Sequence, residues 1–138
     1  MRILVCYDGN PDAERALSKT LRLFGPLKPE VILLSVIEAN RDASPAADEK
    51  YALWHQERSE TLKSKAKEIV ARGFEVDVVL AEGNAREMVL RTAKSRKPDL
   101  LVVGKREGGT LADMLHASLS VYLVHHAACP VLVFHKEE

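Results

Sequence analysis

Cysteine is scarce in this chain, with two among 138 residues, and Cys6 and Cys129 are too far apart in sequence to form a CxxC pair. Their spacing carries neither a metal nor a redox motif. A free Cys in an apolar run packs as a small hydrophobe, so both are expected to be structural. An excess of either charge is also missing, since Lys plus Arg number 20 and Asp plus Glu number 20. Without a global basic field there is nothing to gather nucleic acid or an anionic membrane. No apolar run approaches the roughly 20 residues needed to cross a bilayer. The opening run MRILVCY stops at Asp8 without a small-residue cleavage site, so it is expected to be a strand and not a signal peptide, which points to the cytoplasm. Internal repeats and linkers are absent, and residues 1–138 are expected to form one domain.

What is present suits a globular fold. Hydrophobic residues make up 46% and charged residues 29%, near globular averages, and a chain of this length buries roughly two thirds of its unfolded surface without a staple. Arg2 to Tyr7, Val31 to Ile37, Val76 to Leu80, Leu100 to Val103 and Val131 to Phe134 are short Val, Ile and Leu runs with little alternation. Strands buried on both faces have this composition. Segments of helical periodicity separate them. The resulting β-α-β-α-β-α-β-α-β order predicts a parallel sheet covered by helices on both sides, a three-layer α/β/α sandwich.

The helices carry end signals. Asn10-Pro11-Asp12 offers a cap, a proline at the first helical position and an early acid, ahead of Ala13, Ala16, Leu17, Thr20, Leu21 and Phe24 on one face. Tyr51, Trp54, Leu62, Ala66, Ile69 and Val70 mark a long second helix ending at Gly73. Asn84-Ala85-Arg86-Glu87 resembles a capping box that opens the third. A fourth is predicted to begin near Ser118 and end at His125 or His126. Glu38 to Lys50, polar and with a proline, is expected to be a mobile surface loop.

In an open α/β sheet, ligands bind beyond the C-terminal strand ends where the winding direction reverses. The candidates are therefore strand-end residues. Asp8 directly follows the first strand, where its carboxylate either accepts from a ligand hydroxyl or amine, or forms the turn into the first helix. Asp99 to Ser120, DLLVVGKREGGTLADMLHASLS, runs from an apolar strand through a glycine-bearing loop to a helix opening on Ser118 and Ser120. Backbone N–H groups of such a loop and of a helix first turn can cradle a phosphate. Lys105 and Arg106 could neutralise phosphate charge, or be part of a solvated loop tip. His116, His125 and His126 have poor metal-ligand spacing, since adjacent helical residues point about 100° apart. A hydrolase triad lacks a His base beside Asp8, Ser118 and Ser120, so no catalytic residue is assigned.

YDGN after the first strand, LLSVIEA, AEGNAREMVLRTAK, PDLLVVGKREGG and HASLSVYLVHHAACPVLVF together resemble the universal stress protein family over essentially the whole chain. The resemblance implies a five-stranded parallel sheet of order 3-2-1-4-5, related to adenine-nucleotide α-hydrolase-like and flavodoxin-like folds, and a homodimer. ATP-binding members carry Gly, two residues, Gly, nine residues, Gly, then Ser or Thr. Laid on this chain, those positions are Gly104, Glu107, Ala117 and Ser118, so two of the three glycines are missing. The resemblance places Tyr7, Asp8 and Val36 at the adenosine end. Gly104, Lys105, Arg106, Glu107, Ala117, Ser118, Leu119 and Ser120 fall at the phosphate end.

A carboxylate at Glu107 about 5 Å from a phosphate costs roughly 1 to 3 kcal/mol at intermediate dielectric. Ala117 costs about 1 to 2 kcal/mol if the backbone needs positive φ there. The expectation is weak binding of ATP, ADP or AMP, with Mg accompanying a triphosphate, by a stress-response or signalling protein that works by binding; any ATP hydrolysis would be slow. The alternative is a dimeric interaction module that binds no nucleotide. In either case an exposed last strand, Pro130, Val131, Leu132, Val133 and Phe134, is an edge that a second copy would cover. A response-regulator receiver, a flavodoxin and an ATP-pyrophosphatase each need site residues that are absent at these strand ends.

Overall fold

The computed structural model describes residues 1–38, 45–106 and 110–136. Five strands alternate with four helices: β1 (Arg2–Cys6), α1 (Pro11–Phe24), β2 (Glu30–Ile37), α2 (Pro45–Ala71), β3 (Val76–Glu82), α3 (Ala85–Arg96), β4 (Leu100–Gly104), α4 (Leu111–His126) and β5 (Val131–Phe134). The strands form one parallel sheet of order β3-β2-β1-β4-β5. Central β1 pairs with β2 from Arg2 opposite Glu30 to Cys6 opposite Leu34, and with β4 from Ile3 opposite Leu100. The chain leaves β1 toward β2 on one side and later returns to β4 on the other, so the winding reverses at the β1/β4 junction. The expected α/β/α sandwich and strand order are thus present.

Alternate strand residues supply two cores. Ile3, Val5, Val31 and Leu33 pack under α1 and α2 with Ala16, Leu17, Leu62 and Ile69. Leu4, Ile32, Leu34 and Leu101 face the other way, under α3 and α4, with Val89, Ala93, Leu119 and Leu123. Burial of both faces explains why the strands read as unbroken apolar runs. Fully buried side chains such as Leu33 and Leu123 are each worth about 2 kcal/mol of transfer free energy.

Several boundaries differ from the sequence expectation. β1 ends at Cys6 and not Tyr7, although the Tyr7 N–H still donates to the Leu34 carbonyl at 2.8 Å. α2 begins at Pro45, inside the stretch expected to be a loop; residues 39–44 of that stretch lie outside the described residues. Of the apolar residues that mark α2, Leu62, Ala66 and Ile69 pack on the core while Trp54 and Val70 are exposed. The inward stripe contains Arg58, Leu62, Ala66 and Ile69, at steps of four, four and three. The largest change is in α4, which starts at Leu111, seven residues before the expected Ser118. Its first turn is closed by the Met114 N–H on the Thr110 carbonyl at 3.1 Å, with Thr110 in a position where Thr is a favoured cap. Ala117 permits that extension, because a glycine there would cost the helix about 1 kcal/mol.

Candidate functional site

A cleft of about 590 Å³ opens over the C-terminal ends of β1, β2 and β4, where a doubly wound sheet is expected to bind ligands. Tyr7 and Asp8 after β1, Val36 near the end of β2 and Gly104 at the end of β4 line it, with Arg106, Ser118 and Leu119. Arg58 from α2 and Arg86 from α3 also line it. Neither Arg58 nor Arg86 follows from strand-end reasoning, because both are carried on helices. The signal for Arg58 is a charge on the inward stripe of α2. For Arg86 it is a cation in a helix first turn, where acids are the favourable residues.

Asp8 takes the turn-forming role considered for it. Its carboxylate accepts from the Asn10 N–H at 3.0 Å and the Asn10 side-chain amide at 2.9 Å. That engagement corrects the expected cap of α1: Asn10 stands at the cap position but makes no side-chain cap bond to the helix. The second carboxylate oxygen also accepts from Arg106 Nη2 at 2.6 Å, while Arg106 Nε donates to Asp12 at 3.3 Å. Burial alone would raise the Asp8 pKa, but the Asn10 bonds and the Arg106 guanidinium outweigh it and hold the carboxyl below its ordinary value. Both partners are largely buried, with side-chain exposures of 18% for Arg106 and 21% for Asp8. Arg106, expected at the phosphates, is engaged by two carboxylates at the β1 end.

The remaining candidates divide by position. Tyr7 is 3% exposed and its hydroxyl bonds Glu14 of α1, which with burial raises the phenol pKa. Cys6 also lines the cleft, and burial reinforced by Asp8 pushes its thiol up to about 12, leaving it unreactive. Gly104 is fixed by packing: a Cβ there would stand 2.5 Å from the Asp12 carbonyl oxygen. Lys105 lines a separate concavity of about 310 Å³ with Arg15 and Lys136. Glu107, Gly108 and Gly109 lie outside the described residues.

Ser118 and Ser120 sit within α4 and not at its start. The expected first-turn donors at this point are consequently engaged by the helix itself. The Ser118 hydroxyl donates to the Leu115 carbonyl at 2.8 Å and accepts from Arg86 Nη2 at 2.9 Å, and Ser120 is 3% exposed. Across the cleft, Arg58 Nη1 donates to the Ser35 hydroxyl at 2.6 Å. Glu38 at the end of β2 accepts from the Ala85 N–H at 2.7 Å, and Asn84 caps α3 through the Glu87 N–H at 3.2 Å. The β2 end and the α3 start are thereby tied together. Of the histidines, His126 stacks on Tyr122 with ring centroids 4.2 Å apart. No three His, Cys, Asp or Glu side chains gather into a metal-binding group among the described residues.

Chemically, the cleft offers a desolvated carboxylate at one end, apolar walls from Val36, Val89 and Leu119, and two guanidiniums that, among the described residues, have no carboxylate partner. Such a set can hold a flat polar group with an anionic appendage.

Residues 1–135 match the model described as the universal stress protein family. Over 132 residues the chain is 29% identical to a universal stress protein of Thermus aquaticus from a sulfhydrylase 3' region, covering 95% of this chain and 96% of that one. It superimposes on the protein MJ0577 with a TM-score of 0.86 at 27% identity, covering 99% and 96% of the two chains. An Arabidopsis thaliana universal stress protein family member with AMP bound superimposes with a TM-score of 0.68 at 23% identity, over 99% of this chain and 92% of that one. A universal stress protein in complex with cAMP does so at 0.63 and 21%, over 98% and 96%. Those last two likenesses are of fold.

Proposed function

The chain belongs to the universal stress protein family, and from that premise we propose that it acts as a cytoplasmic stress-response or signalling protein by binding an adenine nucleotide in the β1/β4 cleft. The observation that carries this reading is the cleft's polarity. Asp8 stands at the β1 end, Val36 lines the β2 end, and Arg58 and Arg86 face in with no carboxylate partner among the described residues. Adenine nucleotides in related folds, AMP in one and cAMP in another, agree in chemistry with that arrangement. On this reading the protein works by occupancy: among the described residues no Walker-type lysine lines the cleft. A triphosphate would bring Mg with it.

Calorimetric titration of the purified chain with adenosine, AMP, ADP and ATP tests the reading. Dissociation constants between about 10 μM and 1 mM are expected. No heat and no protection from thermal unfolding with any of the four at about 5 mM would overturn it.

A second element concerns assembly. β5 is one of the two edges of the sheet, and Leu111, Met114, Leu115, Val121 and Val124 of α4 are exposed. We propose that a second copy pairs along Pro130 to Phe134, which removes the open edge. This apolar surface favours the alternative of a dimeric interaction module should no nucleotide bind. Sedimentation at micromolar protein is expected to show a dimer; a monomer at about 100 μM would discard both the pairing and that alternative.

A further inference from the structure

On the reading that the cleft holds an adenine nucleotide, we propose that Arg86 is its phosphate ligand and that the site therefore prefers a nucleoside monophosphate to a triphosphate. Three guanidiniums line the cleft, and their partners differ. Arg106 is paired with Asp8 and Asp12. Arg58 and Arg86 donate to the hydroxyls of Ser35 and Ser118, and among the described residues neither is ion-paired. Arg58 approaches from α2 on one face of the sheet, while Arg86 stands on the α3/α4 wall of the other face. Arg86 is thus the uncommitted cation of that wall.

Its placement runs against its own helix. Arg86 is the second residue of α3, where the helix already presents its positive end, and a cation there is unfavourable unless an anion answers it. The side chain is nevertheless held in place, with its guanidinium carbon 4.8 Å from the Tyr122 ring centroid and Nη2 on the Ser118 hydroxyl. That hydroxyl points its proton at the Leu115 carbonyl, which leaves its oxygen free to accept from Arg86. Ring and hydroxyl orient the guanidinium while leaving most of its five N–H donors available, a planar fork suited to one phosphoryl group.

Selection against longer chains follows from α4. Because the helix starts at Leu111, the amides approaching Ser118 are taken up by helical hydrogen bonds and cannot cradle a second and third phosphoryl group. Each added phosphoryl group brings negative charge with no further uncommitted cation on that wall to meet it.

Titration of the full chain and of Arg86→Gln and Arg86→Lys with adenosine, AMP and ATP tests this. In the unaltered protein AMP is expected to bind about ten- to a hundredfold tighter than adenosine, with ATP no tighter than AMP. Arg86→Gln should erase the AMP advantage, leave adenosine affinity unchanged and keep the ligand-free melting temperature within about 3 °C of that of the unaltered chain. Arg86→Lys should restore part of the advantage. The proposal is overturned if Arg86→Gln keeps the AMP advantage, or if ATP binds about tenfold tighter than AMP. Adenosine binding with no gain from the phosphate would sink the proposal and leave the nucleotide reading standing. Absence of binding by all three ligands would sink both.

Discussion

At the β1 end of the cleft Asp8 and Asp12 share Arg106 between them, whereas on the α3/α4 wall Arg86 is answered only by a serine hydroxyl and an aromatic face. Both ends carry a guanidinium, yet at one end it is ion-paired and at the other it is not. An ion-paired corner holds the fold together and presents hydrogen-bonding groups at fixed positions. An unanswered cation does little for the fold and is available to an anion. Counting charged residues around a cleft therefore says less than asking which of them already have partners.

The largest test of the ion-paired end lies beneath it. Gly104→Ala would put a methyl 2.5 Å from the Asp12 carbonyl oxygen, a backbone atom that moves only if α1 shifts from β4. The expected loss is about 3 kcal/mol of unfolding free energy in urea. A loss below about 0.5 kcal/mol would mean that Gly104 is not kept by packing and that the helix gives way readily.

Next in size is Asp8→Asn, which leaves Arg106 with Asp12 as its remaining carboxylate partner and should cost about 2 kcal/mol at neutral pH. Because the folded Asp8 pKa is depressed, the carboxylate's contribution is present above the unfolded value near 4 and is lost as pH falls through the folded value. Acid titration of stability should accordingly be shallower below pH 4 in the variant. Superimposable acid limbs would show that Asp8 gains nothing from its partners.

Much of the fold could be read from the sequence because both faces of every strand contribute to a core, and that leaves continuous apolar runs such as Val31 to Ile37. Strand-end reasoning placed Asp8 and Val36 at the cleft for the same reason. The start of α4 was not found because glycine spacing directed attention to Ser118, while Thr110 followed by Asp113 is itself a T-x-x-D helix-start signal. Arg58 and Arg86 escaped for a different reason: helix-borne arginines look like solvated ones until the packing face is known. Lys105 and Arg106 are adjacent in sequence, yet only Arg106 lines the β1/β4 cleft, and the two share the smaller concavity beside it.

Ala117→Gly probes the helical wall at the next lower magnitude. Glycine in the interior of α4 should lower stability by about 1 kcal/mol and fray the segment from Leu111. Amide exchange over residues 111–117 should rise, and ATP affinity should gain on AMP affinity as amides near Ser118 are released. Faster exchange with an unchanged ATP-to-AMP ratio would separate helix extension from phosphate selection.

The smallest effect on stability is the one that tells most about the unanswered end. Arg86→Gln removes a cation from the first turn of α3, where the helix dipole opposes it, and also removes one hydrogen bond to Ser118 and the contact with Tyr122. The dipole gain is about 0.5 kcal/mol, and an exposed hydrogen bond lost costs a similar amount. Thermal unfolding without ligand should therefore shift by less than about 3 °C in either direction. A large drop would mean that Arg86 holds α3 against α4 as a structural strut, and the contrast between the two ends of the cleft would disappear. An unchanged melting temperature together with a lost AMP advantage would locate the functional charge of this cleft on the wall that the fold leaves unneutralised.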